Sequence, residues 1–199
     1  MKLYYTPGAC SLSPHIALKE SGLPHELVKV DLKAKKLATG EDFNTINPKS
    51  QVPALALDSG ELITEGPVIV QMIADKAADK KLAPAQGTAE RYRLQEWLNY
   101  ISAEIHKTFS PLFNPLISDD AKKVFRDRVT GKFSYLDGKL GGQDYLMGQQ
   151  FTVADGYLFT MLKWADRVGL DLSGMKNLMG FKDRVGARPA VQAALQAEG

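Results

Sequence analysis

The chain has 199 residues, with 25 lysines and arginines against 23 aspartates and glutamates, and a single cysteine. This length is enough to bury a sizeable core in one or two domains, and the 44% hydrophobic and 24% charged residues exclude a disordered chain. A formal net charge of +2 gives no field that would attract nucleic acid or an anionic membrane. The lone Cys10 excludes an intramolecular disulfide and a metal site built from several cysteines.

We expect no secretory signal at the start of the chain, because Pro7 and Gly8 interrupt its apolar run. No charge-free apolar stretch approaches the ~20 residues that a membrane-spanning helix needs. We therefore expect a cytoplasmic, reducing location, in which a free thiol persists.

The first eighty residues alternate between strand and helix signals. Strands are predicted at 2–5, 26–31, 54–57 and 61–64, and helices between Ser11 and Gly22 and from Pro67 onward. The first strand–helix–strand unit predicts a right-handed crossover between parallel strands, and the glycine-containing turn before residue 61 predicts an antiparallel hairpin. We expect a four-stranded mixed sheet with helices on its faces. Residues 32–52 are predicted to be loop-like, with a helical turn near 41–46.

Residues 78–87 indicate a linker, and the chain beyond them is predicted to be helical because its apolar residues recur at helical spacing. Helices are predicted around 94–109, 119–136, 153–165, 178–185 and 191–195, with Pro111 and Pro115 ending the first of them. The predicted fold class is α/β plus all-α. A small domain over residues 1–80 is followed by an all-helical domain over residues 88–199.

Cys10 lies at the predicted turn from the first strand into the first helix, in a Cys-x-x-Ser arrangement with Ser13. A helix N-terminus favours a thiolate over a thiol. Without a second cysteine the protein cannot cycle through its own disulfide, but a mixed disulfide with an external thiol is open to it. The alternative is a buried, unreactive cysteine.

Two further segments carry candidate binding groups. Val52 precedes Pro53, and a cis bond between them would leave the Val52 backbone able to pair with an extended peptide; the alternative is an ordinary trans proline. Glu65 and Gly66 open the next helix, where an acidic side chain and a helix N-terminus suit an amino-acid head group. The alternative is that Glu65 only complements the helix dipole.

Several segments together match one family. They are residues 4–11 (Tyr-Tyr-Thr-Pro-Gly-Ala-Cys-Ser), 47–55 (Asn-Pro-Lys-Ser-Gln-Val-Pro-Ala-Leu), 64–66 (Thr-Glu-Gly), 96–101 (Glu-Trp-Leu-Asn-Tyr-Ile), 104–107 (Glu-Ile-His-Lys), 151–155 (Phe-Thr-Val-Ala-Asp) and 188–192 (Arg-Pro-Ala-Val-Gln). Over its full length the chain resembles a cytosolic glutathione transferase, with a thioredoxin-like first domain and an all-helical second domain. A cysteine at position 10, rather than a catalytic tyrosine or serine, resembles the bacterial beta class.

The resemblance implies a glutathione site with specific residues. Val52 pairs through its backbone with the cysteinyl part, Glu65 and Gly66 hold the γ-glutamyl head, and Lys35 reaches the glycine carboxylate. Cys10 lies next to the glutathione sulfur. The resemblance also implies three contributors from the helical domain: His106, which approaches the sulfur, and Asn99 and Glu104, which reach the site from the partner subunit of a homodimer.

The implied activity is conjugation of the glutathione thiolate to small apolar electrophiles, which are held in a cleft between the domains. One alternative is a glutathione-dependent thiol–disulfide oxidoreductase, peroxidase or dehalogenase that works through a Cys10 mixed disulfide. The other is a non-catalytic carrier of apolar ligands. Phe109, Phe113 and Trp164 are candidates for the apolar pocket. With one cysteine and three scattered histidines, no metal site is expected.

The segment from Thr152 to Asp155 predicts a capping box at the start of a helix. It resembles a structural motif of the family, and we interpret it as a folding element without a catalytic role.

Overall fold

The computed structural model describes residues 1–199. The chain forms two compact units: Met1–Ala83 together with Pro189–Gly199, and Pro84–Arg188. None of its helices has the length and apolar character needed to cross a membrane.

The first unit is built on a five-stranded mixed sheet in the order β3-β2-β1-β4-β5. Its strands are β1 (Lys2–Tyr5), β2 (Glu26–Asp31), β3 (Lys36–Leu37), β4 (Ala54–Ala56) and β5 (Leu62–Thr64). As predicted, β1 and β2 are parallel and β4 and β5 form an antiparallel hairpin. The thioredoxin-like character expected of this unit agrees with that arrangement.

The expected four strands are one too few. The two-residue strand β3 pairs antiparallel with the end of β2 inside a segment that was predicted to be a loop. Two residues carry too little alternation to signal a strand. The pairing comes from tertiary contacts, because Leu37 is buried in a small cluster with Val30 and Phe43.

The helices of the first unit are α1 (Leu12–Ser21), α2 (Phe43–Ile46), α3 (Gly66–Lys76), a short 3₁₀ turn (Ala78–Lys80) and α9 (Pro189–Glu198). The predicted helical domain ran on to residue 199, whereas α9 lies in the first unit and packs against α1. Its apolar side chains Val191 and Ala194 are fully buried there. Burial of this stripe favours docking over solvent exposure.

The second unit is helical throughout, with α4 (Ala89–Tyr100), α5 (Lys107–Phe113), α6 (Asp119–Lys139), α7 (Val153–Arg167) and α8 (Lys176–Gly186). Between α4 and α5 the backbone forms a π-helical turn, Ile101–His106, where an unbroken α-helix was predicted. Pro111 lies inside α5, which ends at Phe113. Five apolar side chains within the helix predicted around 94–109 are fully buried: Leu94, Leu98, Ile101, Ile105 and Phe109.

The predicted capping box is present at the start of α7. The carboxylate of Asp155 accepts hydrogen bonds from the backbone N–H of Leu146 at 2.8 Å and of Thr152 at 2.7 Å, and from the Thr152 hydroxyl at 3.0 Å. Asp155 is fully buried. A single side chain therefore joins the 146–152 segment to the first turn of α7.

Candidate functional site

The candidate residues of the first unit lie at one edge of the sheet. Parallel β1 and β2 end at this edge, β4 begins there, and β5 returns to it, because β4 runs antiparallel to both β1 and β5. Cys10 follows β1, Lys35 follows β2, Val52 precedes β4, and Glu65 follows β5. The sequence predicted the parallel crossover and the antiparallel hairpin, and the antiparallel pairing of β1 with β4 brings the two to the same edge.

Cys10 lies in a tight turn between β1 and α1. The Ser11 hydroxyl does not cap α1. It bonds to Thr6, accepting from the Thr6 N–H and donating to the Thr6 carbonyl, each at 3.2 Å. The Cys10 Sγ, which is partly exposed, donates to the Val52 carbonyl at 3.2 Å. The thiol is therefore held against the segment that enters β4.

The turn is also fixed from α9. Glu198, whose side chain is only 6% exposed, accepts from the Gly8 N–H at 3.0 Å through one carboxylate oxygen and contacts His15 Nδ1 at 2.9 Å through the other. His15 is completely buried. One buried carboxylate thus joins α9, α1 and the turn that carries Cys10.

The entry to β4 contains the Val52–Pro53 bond, which is cis. Val52 is buried and lies just outside the strand, which begins at Ala54. Gly66 is next to this segment, since a Cβ on Gly66 would lie 3.9 Å from Pro53 Cγ. Cys10, Val52 and Gly66 are therefore neighbours.

Charged side chains contact the loop at residues 47–51, which leads to the Val52–Pro53 bond. Lys35 donates through Nζ to the Ser50 carbonyl at 3.0 Å. Lys49 donates through Nζ to Glu65 Oε1 at 2.9 Å. Lys35, Ser50 and Glu65 all have left-handed φ angles, of 57°, 56° and 69°. Non-glycine residues rarely adopt such angles, and the residues that do so concentrate at functional sites.

The predicted residues of the second unit lie on α4 and the π-helical turn. Asn99 is exposed on α4, and Glu104 forms an ion pair with Lys132 of α6. The half-buried His106 contacts the buried Tyr157 hydroxyl through Nδ1 at 2.6 Å. The ring of Trp164 stands perpendicular to the imidazole at 4.8 Å, so the orientation of His106 is set by two aromatic residues of α7.

The aromatic candidates form one cluster. Phe113 is stacked on Phe109 at 6.2 Å and meets Trp164 edge-on at 5.1 Å. Phe113 keeps 38% of its surface exposed. The cluster therefore presents an apolar face to solvent within the second unit.

Comparison with known proteins assigns the family. Residues 8–76 match the model of the glutathione S-transferase N-terminal domain, and residues 100–189 match that of the C-terminal domain. Glutathione S-transferase GstA of Escherichia coli O157:H7 is 48% identical over 199 residues, which cover 100% of this chain and 99% of that protein. The chain belongs to the glutathione S-transferase family.

Two solved structures extend the comparison for this transferase. A bacterial beta-class enzyme from Sphingomonas chungbukensis is 50% identical with a TM-score of 0.97, covering 100% of this chain and 99% of that one. A sphingomonad glutathione S-transferase complexed with glutathione is 49% identical with a TM-score of 0.97 and the same coverage. The expected beta class and the two-part fold are confirmed.

Three residues of the transferase escaped sequence reasoning. Lys49 lies in the segment 47–55, which carried the resemblance but gave Lys49 no role, and Tyr157 lies in the helix predicted around 153–165 and was given no role at the site. Glu198 gave no local signal, because its partners are 183 and 190 residues away. No group of three or more histidine, cysteine, aspartate or glutamate side chains could hold a metal ion in this transferase.

Replacing Glu198 with alanine is expected to lower the free energy of unfolding by about 1–3 kcal/mol, because the completely buried His15 imidazole loses its partner and the Gly8 N–H loses its acceptor. Denaturant unfolding monitored by circular dichroism measures this change. Gln196→Ala is the control, since Gln196 lies exposed on the same helix. Equal stability of the two variants would contradict the assigned role of Glu198.

Proposed function

We propose that this transferase binds glutathione at the sheet edge and conjugates its thiolate to small apolar electrophiles. The observation that carries the proposal is the meeting of Cys10, Val52 and Gly66 beside two oppositely charged side chains, Lys35 and Glu65. Glutathione is a short peptide with a thiol, a terminal carboxylate and an amino-acid head group. The edge offers a complementary group for each part.

Each residue has a chemical role in this proposal. The Val52 backbone pairs with the cysteinyl unit as an added strand does, which places the glutathione sulfur beside Cys10. Glu65 accepts a charge-assisted hydrogen bond from the γ-glutamyl ammonium, and Gly66 allows a close approach to the N-terminus of α3. Lys35 uses one of its three N–H donors on Ser50 and has two left for the glycine carboxylate.

The second unit supplies groups of a different kind. The exposed side of Phe113, which packs on the half-buried Trp164 and the buried Phe109, suits an apolar second substrate. His106, held by Tyr157 and Trp164, carries an imidazole that can donate or accept a hydrogen bond and is assigned to the glutathione thiol. A homodimer in which Asn99 and Glu104 contact the neighbouring site stays part of the proposal, and sedimentation analysis tests the oligomeric state. The cytoplasmic location stays a prediction.

A second function is favoured by the thiol of Cys10, which is not in a disulfide, and by its position at the edge. In this reaction the Cys10 thiolate attacks the glutathionyl sulfur of a mixed disulfide, the other thiol leaves as a thiolate, and Cys10 becomes bonded to glutathione. A second glutathione thiolate then attacks that bond, releases oxidised glutathione and restores Cys10. Since the chain has no other cysteine, the second thiol has to come from solution.

Replacing Glu65 with glutamine is expected to raise the KM for glutathione about tenfold or more, because the ligand's ammonium loses a charged acceptor. Steady-state kinetics at saturating electrophile measure this change. The matched control is Glu61→Gln, which neutralises an exposed carboxylate directly before β5, the strand that Glu65 follows. A KM that is unchanged in Glu65→Gln would place the amino-acid head elsewhere.

A further inference from the structure

Lys49 makes two defined contacts at the end of β5. Its Nζ donates to the Thr64 hydroxyl and to Glu65 Oε1, both at 2.9 Å. These acceptors are adjacent in sequence and lie where β5 passes into α3. An ammonium that bridges both holds the Glu65 carboxylate in one orientation.

The loop that carries Lys49 is itself well fixed. The buried Asn47 donates through Nδ2 to the Gln51 carbonyl at 2.8 Å and accepts from the Lys49 N–H at 3.1 Å. The backbone carbonyl of Asn47 accepts from the Ser50 N–H at 2.8 Å. These hydrogen bonds hold the backbone at Lys49 in place. Less conformational entropy is therefore lost when the Lys49 side chain is positioned.

The contact with Lys49 involves one of the two oxygens of the Glu65 carboxylate. Lys49 binds Oε1, and a carboxylate has further acceptor sites on its other oxygen. A ligand ammonium bound there would produce alternating charges: Lys49, Glu65, the ligand's ammonium and then its α-carboxylate near the N-terminus of α3. Neighbouring charges in that row attract one another.

We propose that Lys49 is a positioning residue for Glu65 and that it sets the affinity of this transferase for the α-ammonium of its substrate. The proposal rests on the proposed function, because it takes the γ-glutamyl head group to bind at Glu65. Lys49 acts through the Glu65 carboxylate and does not contact the ligand.

The test is Lys49→Met, with KM and kcat measured for glutathione and for an analogue whose γ-glutamyl ammonium is replaced by hydrogen (glutaryl-cysteinyl-glycine). The expected result is a KM for glutathione about five- to tenfold higher, from loss of a charge-assisted contact, with kcat unchanged. The KM for the analogue is expected to be the same in both proteins. Lys49→Arg, which keeps the charge, is expected to restore most of the affinity for glutathione.

The variant is expected to fold, because the side chains of Lys49 and Glu65 are 54% and 61% exposed and an ion pair of that kind contributes little to stability. Thermal melting checks this. Lys29→Met is the matched control, since it removes the same charge from an exposed position on β2. Its KM for glutathione is expected to equal that of the unmodified protein.

Three results would overturn the role of Lys49. An unchanged KM would remove Lys49 from the site, and a lower KM would make it a competitor of the ammonium. An equal rise in KM for glutathione and for the analogue would mean that Lys49 binds the α-carboxylate directly. Calorimetric titration of the unmodified protein with S-methylglutathione tests the proposed function separately. Absence of binding there would contradict the proposed function, whereas the three results above concern only the role of Lys49.

Discussion

Replacing Asp155 with alanine is expected to lower the free energy of unfolding by about 3 kcal/mol or more at pH 7. The change leaves the N–H groups of Leu146 and Thr152 without their acceptor in a buried place, and each such loss costs about 1–3 kcal/mol. Denaturant unfolding followed by circular dichroism gives the value. Asp183→Ala, at an exposed position on α8, is the control and is expected to change stability little.

The same substitution has a predictable pH dependence. Burial raises the pKa of Asp155 from its ordinary 3.8 to about 6, so between roughly pH 4 and pH 6 the folded chain binds a proton that the unfolded chain does not. By linkage, the contribution of this carboxyl group to stability is greatest below pH 4 and falls by about 3 kcal/mol as the pH rises to 6. The difference in unfolding free energy between the unmodified protein and Asp155→Ala is therefore expected to be larger at pH 4.5 than at pH 7.5. A difference that is constant, or that grows with pH, would contradict this.

Replacing Cys10 with serine is expected to reduce glutathione-dependent disulfide reduction by about 10³-fold or more, because a serine hydroxyl cannot replace a thiolate as the nucleophile. Conjugation is expected to survive, since the glutathione thiolate itself attacks the electrophile in that reaction. Parallel assays with a mixed disulfide and an apolar electrophile separate the two activities.

Stability provides the check on this second variant. Cys10 is partly exposed and its thiol makes a weak hydrogen bond to Val52, so Cys10→Ser is expected to melt close to the unmodified protein. Loss of both activities with an intact fold would assign Cys10 to the conjugation chemistry as well. Retention of disulfide reduction would exclude Cys10 as the redox group.

Much of the fold could be predicted because long elements carry repeated signals. The strand that ends at residue 31 alternates polar and apolar side chains, and the helix before it is bounded by Ser11 and Gly22. Helix α7 is indicated by the capping residues Thr152 and Asp155. What escaped depends on contacts between distant segments. Strand β3 exists through the pairing of Lys36 with Asp31. The π-helical turn keeps apolar side chains at helical intervals, so its spacing alone does not distinguish it from α-helix.

The candidate site divides in the same way. Cys10, Val52 and Glu65 were identified because each stands at a turn or a helix start, where residue type has a local meaning. Lys49 and Glu198 were missed because a lysine in a loop and a glutamate on a short helix are ordinary in sequence. They acquire meaning from partners that only folding brings near.

The placement of α9 makes the thioredoxin-like unit discontinuous along the chain. A chimera that exchanged residues 1–83 for those of a relative would leave α9 behind, and the incoming turn at Gly8 would have to fit a foreign carboxylate. The unit therefore cannot be transferred to another protein by exchanging its N-terminal residues alone. Residues 8, 15 and 198 have to be transplanted together, and selection would act on them as one inherited set.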